Sequence, residues 1–441
     1  MPFLIRHPQS TSLDPFSRRD LLKLSAAGFL GGAAAPWFTT LAAHAADSKA
    51  TVEPAKRKTC IMLWLAGGPS QLDTFDMKPG TRNAGEFKPI STNVAGIQIC
   101  ELMPKLAKQA DKLALLRSMS TGEADHFRGS YFMQTGYRSI AGTSHPHLGS
   151  IAAAELGQPD FELPNFFWMG TPSAAGVGFL GAKHAPFKIN NVRDEAAQNI
   201  EDVRPSHGFP AFDRKAGILD QLEARFLEQY HGAKTLADHR ATYHQAARMM
   251  RSNKLSALDL NKEPKIVRET YGNTPFGKSC LLARRLVEVG VPFVGVSLGD
   301  FDTHNDNWGR LKPLLPLVDH CMAALLQDLE VRGLLDSTLV ICMGEFGRDP
   351  KINGTGPKAG REHYARAWTT VLAGGGIKTG QVIGKTSKGG EEVTERPISA
   401  KDFMATLCRI LGIDDTKKNI TPAGRPIRIV DAGAKPVAEL F

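Results

Sequence analysis

Carboxylates, imidazoles and guanidinium groups gather in five short clusters of this sequence, most of them just after an apolar run. Asp300, Asp302 and His304 stand in Gly299-Asp300-Phe301-Asp302-Thr303-His304, and Glu345 and Arg348 in Gly344-Glu345-Phe346-Gly347-Arg348. Asp73 and Asp76 follow Ala66-Gly67-Gly68-Pro69-Ser70, His126 stands in Asp125-His126-Phe127-Arg128, and His363 in Gly360-Arg361-Glu362-His363-Tyr364. Asp-x-x-x-His and Asp-x-His spacings bring oxygen and imidazole donors close together, which suits a divalent ion; zinc, manganese and calcium are the candidates. Each spacing alone has a plainer reading, a loop whose Asp caps a neighbouring helix.

Other chemistries fit less well. Ser70 follows a strand-to-turn junction, but Gly67-Gly68-Pro69-Ser70-Gln71 lacks the Gly-x-Ser-x-Gly spacing of a nucleophile elbow. Gly374-Gly375-Gly376 matches neither a P-loop nor a dinucleotide fingerprint, so no nucleotide cofactor is expected. His145 and His147, in Ser144-His145-Pro146-His147, read as a ligand pair or, better, as a helix-entry turn. His231, His239 and His244 fall in a charged helical stretch and read as solvated. The six cysteines show no Cys-x-x-Cys spacing and read as buried thiols.

Loops that converge on a site need strands to aim them. Cys60 to Leu65 is a continuous apolar run, a buried central strand entering a tight turn. A helix over Lys278 to Val289 stops at Gly290, and a strand from Pro292 to Leu298 leads into the Asp300 cluster. Val318, Cys321, Met322, Leu325, Leu326 and Leu329 mark the buried face of another helix, which Gly333 ends. The strand Thr338 to Met343 then leads to Glu345. Thr369 to Ala373 is a further strand and Ala400 to Leu411 a further helix. This alternation predicts an α/β fold with a mostly parallel central sheet, whose ligands gather where strands end at their carboxyl edge. Between about 190 and 265, the spacing of Ile218, Leu219, Leu222, Phe226 and Tyr230 predicts a helical insertion.

The N-terminus carries Ser17-Arg18-Arg19-Asp20-Leu21-Leu22-Lys23 ahead of a Gly/Ala-rich apolar stretch from Leu24 to Leu41, then Ala43-His44-Ala45. This predicts a twin-arginine signal over 1–45 with cleavage near Ala46, a linker over 46–58 and one domain over 59–441 in an exported or periplasmic protein. An uncleaved anchor is the alternative. The formal charge is +9. Arg6, Arg18, Arg19 and Lys23 against Asp14 and Asp20 account for +2 of it, leaving +7 for the rest. That balance favours anionic substrates or surfaces, but with no basic run or interleaved aromatics nucleic acid is not an expected partner.

Several of these segments together resemble a bacterial family, domain of unknown function 1501. They are Gly67 to Asp76, Asp302-Thr303-His304, Gly333-Leu334-Leu335-Asp336 leading to Gly344 to Arg348, and Gly374-Gly375-Gly376. The resemblance covers nearly all of the chain after the signal. It implies a distant relation to the alkaline phosphatase and sulfatase superfamily, and so a three-layer sandwich around the sheet. Thr338-Leu339-Val340-Ile341 followed by Glu345-Phe346-Gly347 resembles a sulfatase metal segment with Glu in place of Asp, and Phe346 cannot be the second ligand. Asp300-x-x-x-His304 resembles a phosphatase metal pair, and His363 the late histidine ligand. The nucleophile departs from the pattern. Counting nine residues back from Thr135-Gly136 reaches His126, and no Asp directly follows the first strand. The expectation is a metal-dependent hydrolase of anionic (sulfate or phosphate) esters without the usual Ser, Thr or Cys nucleophile. Asp302, His304, Glu345 and His363 are its expected ligands and Asp73 and Asp300 weaker ones. His126 is expected to serve as general base, ligand or nucleophile, and Arg348 to neutralise the anion. The rival is a non-catalytic exported binding or scaffold protein on the same fold, docking another exported protein or a surface polymer. Glycoside hydrolysis by paired carboxylates is a third reading.

Overall fold

The apolar run of the first strand is buried along its whole length, Thr59–Leu65, at the centre of an eight-stranded sheet. A computed structural model describes residues 57–441 apart from 159, 196–204, 206 and 230–233. The expected signal and its cleavage site lie outside the described residues. Short ribbons and single turns aside, the first half of the chain forms β1 (Thr59–Leu65), β2 (Leu113–Met119), α1 (His126–Thr135), α2 (Leu148–Glu155), β3 (Phe166–Met169) and β4 (Phe187–Ile189). Two helices follow, α3 (Gly208–Gln229) and α4 (Lys234–Arg251), then α5 (Pro275–Glu288), β5 (Phe293–Leu298), α6 (Asn307–Val331) and β6 (Thr338–Met343). The remainder is β7 (Gly347–Asn353), β8 (Gly360–Tyr364), β9 (Trp368–Gly374), β10 (Gln381–Ile383) and α7 (Ala400–Leu411).

The sheet order is β10-β2-β9-β6-β1-β5-β3-β4, and β9 alone runs against the other strands. The mostly parallel α/β sheet predicted from the alternation is therefore present. Alternate residues of β1 serve opposite faces. Cys60, Met62 and Trp64 join a core with Leu148 and Ile151 of α2 and Phe403 and Leu407 of α7. On the other side α5 packs on β1 and β5, so the sheet is the middle of three layers.

Two pairings stabilise the layers by means the apolar pattern does not show. His147 is the N-cap of α2, its Nδ1 accepting from the Gly149 amide at 2.7 Å, so Ser144 to His147 is a helix-entry turn. Between α5 and α6, fully buried Arg284 forms ion pairs with Asp328 and Glu263 at 2.8 Å each and donates to Glu288 at 2.6 Å. Burial alone would raise the Glu263 carboxyl, but Arg284, Arg285 and Arg332 hold it down at about 2.

The stretch read as a helical insertion forms a pair of helices, α3 and α4. Ile218 and Leu222 are each 59% exposed, while Glu223 is buried and accepts from His239 at 2.8 Å, and Asp220 faces His244 at 3.2 Å. Apolar spacing reports helical period but not which stripe turns inward, and here carboxylate–imidazole pairs hold α3 to α4. His239 and His244 are thus paired rather than merely solvated; Tyr230 and His231 lie outside the described residues. All six cysteines are buried free thiols, and burial pushes Cys100 and Cys342 up to about 12.

Candidate metal centre

Parallel β1, β5 and β6 lie side by side, so the loops after them leave from one edge of the sheet. The loop after β5 carries Asp302 and His304, and the one after β6 carries Glu345 to Arg348. The segment after β2 carries His126 at the start of α1. Because β9 is antiparallel, its first residue lies at that same edge, and β8, just before it, delivers His363 there.

Close approach of these loops depends on two glycines. Gly67 has φ +114°, and a Cβ there would lie 2.3 Å from the Asp302 amide nitrogen; a Cβ at Gly68 would meet the Phe346 ring at 2.7 Å. These contacts leave no room for a side chain where the turn after β1 presses on the other two loops.

Three imidazoles converge on one carboxylate oxygen. His126, His304 and His363 place their Nε2 atoms 3.3, 3.0 and 3.2 Å from Asp302 Oδ1, and the Nε2 atoms of His304 and His363 are 2.9 Å apart. Each ring uses its other nitrogen elsewhere. His126 Nδ1 bonds Glu345 Oε1 at 2.7 Å, His304 Nδ1 bonds Glu362 at 2.6 Å, and His363 Nδ1 bonds the Ala124 carbonyl at 2.7 Å. All three partners are acceptors, so each Nδ1 donates its hydrogen there and each ring turns its Nε2 toward Asp302. His126 Nε2 is buried with no hydrogen bond, as is Glu345 Oε2.

Three imidazole nitrogens and one carboxylate oxygen, all of them potential ligand atoms, thus face one another. The donor atoms of His126, Asp302 and His363 lie within 4.8 Å of one another and could hold a metal ion, with His304 adjoining. Ligand-to-ligand edges of about 3.3 Å follow from tetrahedral bonds of about 2.0 Å to zinc, close to the spacings from Asp302. The donor set therefore fits a divalent ion.

The model of the family described as "Protein of unknown function (DUF1501)" matches residues 57–441. The chain belongs to this family. No curated protein matches it. Solved structures similar to this DUF1501 chain include the PsFucS1 sulfatase from Pseudoalteromonas sp., at 14% identity and a TM-score of 0.38, covering 86% of this chain and 72% of that one. Another is the lipoteichoic acid synthase LtaP from Listeria monocytogenes, at 11% identity and a TM-score of 0.37, covering 86% and 76%. A third is a protein in the alkaline phosphatase superfamily from Vibrio parahaemolyticus, at 12% identity and a TM-score of 0.35, covering 86% and 75%.

Of the residues singled out in this DUF1501 sequence, Asp302, His304, His363, Glu345, His126 and Arg348 come together, and Asp73 and Asp300 stay apart. Asp73 is fully buried and accepts from Arg361, Ser70 and Asn307 on one oxygen and Trp308 on the other, at 2.5 to 3.1 Å. Its lone pairs are spent on holding the β1 turn to α6 and β8. Asp300, at φ 73°, is exposed and gives only its carbonyl to Arg310.

Two roles differ from expectation. Glu345 Oε1 is taken up by His126 and by the Gly67 amide at 2.9 Å, so the carboxylate orients a donor from behind. Arg348, expected to meet a substrate anion, is fully buried and bonds the carbonyls of Gly67, Gly68 and Arg361 as well as Asp302 Oδ1, the last at 2.5 Å. Four of its five N–H groups are thus engaged within the protein. Burial alone would raise the Asp302 carboxyl, but the Arg348 hydrogen bond and charge hold it at about 2, so it stays ionised. The hydrogen bond to Glu345 raises His126, and burial lowers His363. Glu362 was passed over because it neighbours the more conspicuous His363; its alternation with His363 along β8 was the available signal.

Proposed function

We propose that this protein is an exported hydrolase of anionic esters, sulfate or phosphate, working through a divalent metal ion held by His126, Asp302, His304 and His363. The observation that carries the reading is the convergence of three imidazole Nε2 atoms on one ionised carboxylate. Three nitrogens to one oxygen suit zinc or a neighbouring first-row ion such as manganese; calcium, which takes six to eight oxygens, suits the set poorly. When bound, such an ion supplies Lewis acidity and lowers the pKa of bound water, which removes the need for a Ser, Thr or Cys nucleophile.

The chain's own groups would then hold and orient. Glu345 and Glu362 fix the tautomers of His126 and His304, and Ala124 fixes that of His363. Arg348 keeps Asp302 charged and in place. Phe346 lies against His126 and His363, at ring-centroid distances of 5.1 and 4.7 Å, and limits water on that side. The cysteines are all buried and offer no accessible nucleophile.

Export rests on the twin-arginine segment of the sequence. No helix among the described residues is long and apolar enough to cross a membrane. The anticipated partners are an anionic small molecule or polymer, and no nucleic acid.

One observation favours the rival reading of a binding or scaffold protein: Arg348, the cation expected to receive the anion, is consumed internally. Metal content by mass spectrometry on wild type, Asp302→Ala and His363→Ala, run beside a sulfate- and phosphate-ester panel, separates the two. Stoichiometric metal lost in both variants together with ester turnover supports the hydrolase; metal without turnover leaves the scaffold, and absent metal sinks the hydrolase and leaves the binding or scaffold protein in front.

A further inference from the structure

At the end of α1 away from His126, about 15 Å along a ten-residue helix, lies a cavity of about 730 Å³. Its size is that of a site for a small organic molecule. Its walls combine apolar surface with unsatisfied polar groups, and none of them belongs to the metal centre.

The apolar part is Phe132, Ile140, Pro426 and Ile427, with Ile140 left 54% exposed. Beside them Tyr137 stacks on His145, ring centroids 4.2 Å apart and planes 3° from parallel, which fixes a flat aromatic surface. Tyr137 also donates its hydroxyl to the Arg428 carbonyl at 2.8 Å and so ties that surface to the segment carrying Arg428.

The polar part is cationic and incompletely bonded. Arg138 is engaged by Glu123, but Lys401 reaches only the Ala432 carbonyl at 3.2 Å, and Lys418 and Arg428 form no ion pair among the described residues. Asp431 is the single carboxylate of the lining, against these three cations. Thr121 is only 8% exposed, yet its Oγ1 has no hydrogen-bond partner, and Arg428 Nε is likewise buried and unpartnered. Buried polar atoms are ordinarily bonded, so orphans lining a cavity point to something that fills it. Ser399 caps the Asp402 amide of α7, so the amides of Ala400 and Lys401, also in the lining, precede the first helical bond and add donors on the same side.

We propose that this cavity binds an organic anion, one sulfate, phosphate or carboxylate head on an apolar or aromatic body. The head lies among Lys401, Arg428 and Thr121, and the body lies along Phe132, Tyr137 and Ile427. An inorganic ion alone would leave the apolar wall wet, and a neutral ligand would leave the cations unmatched. The inference does not depend on the metal reading, because no residue is shared.

The test uses the purified full chain and 8-anilinonaphthalene-1-sulfonate, an aryl sulfonate whose fluorescence reports binding. One saturable site is expected, displaced by 4-nitrophenyl sulfate and far less by inorganic sulfate, and retained after metal is stripped by chelator. Lys401→Gln and Arg428→Gln should each weaken binding about tenfold, the loss of one charge-assisted hydrogen bond. Thr121→Val should weaken binding while leaving the melting midpoint unchanged, because its hydroxyl has no partner to lose. Leu222→Gln, on the exposed stripe of α3, should leave binding intact. Wild-type affinity in all three cavity variants, loss of the signal in Leu222→Gln, or displacement by inorganic sulfate as effective as by the aryl sulfate would each overturn the proposal.

Discussion

Replacing His147 with Asn should remove a large part of the protein's sensitivity to mild acid. His147 is fully buried against Phe166, Trp168 and Phe293, with ring centroids 5.0, 5.3 and 5.6 Å away, and desolvation alone pushes its pKa from 6.5 to about 3. No charged group counters this. The folded state therefore resists protonation while the unfolded chain takes a proton below 6.5, so the neutral ring's full contribution is present above that pH and is lost as pH falls toward 3. Linkage gives about 2 kcal/mol lost between pH 7.5 and 5.0, approaching about 5 kcal/mol at the acid limit. Asn retains an N-cap acceptor for α2 but cannot ionise; it leaves a cavity, so the variant starts lower at pH 7.5. Urea unfolding at both pH values supplies the double difference. Wild type should lose about 2 kcal/mol more than His147→Asn, the other histidines cancelling. Equal losses in both proteins would refute the reasoning, because the buried ring would then not be the group that titrates.

Glu345→Gln and Glu362→Gln should each weaken metal affinity about 10- to 100-fold without removing a ligand, measured by competition with a chromophoric chelator. Glu263→Gln should cost about 3–5 kcal/mol by leaving the buried Arg284, together with Arg285 and Arg332, with only Asp328 and Glu288 against them, measured by urea unfolding at neutral pH. Because the Glu263 carboxyl is depressed to about 2, its contribution is present above about 4.5 and lost as pH falls toward 2; wild type should show that acid loss and the Gln variant should not. Gly67→Ala forces a Cβ to 2.3 Å from the Asp302 nitrogen, so it should lower the melting temperature and the bound metal together.

The sheet was legible because its strands are short apolar runs closed by glycine turns. Thr338–Met343 and Ala400–Leu411 fall where the pattern puts them. The direction of β9 was not legible, since a strand's composition does not carry its polarity, and that polarity brings His363 to the site. Asp302, His304 and His363 stood out because Asp and His after a strand are the donor types themselves. The roles of Glu345 and Arg348 could not be read: a carboxylate two residues after a strand looks the same whether it faces an ion or the back of an imidazole. Asp73 shows the reverse error. Its place after β1 suggested chemistry, but Arg361 and Trp308, far along the chain, turned it into a structural anchor.

The Arg348 guanidinium joins the turn after β1, the loop after β5 and the strand β8 through one planar group. The turn after β1 lies more than 200 residues before the other two segments, so the donor set exists only when the whole sheet edge is assembled. An ion held there would be bound by the folded state and not by the unfolded chain, so its binding and the stability of the fold should rise and fall together.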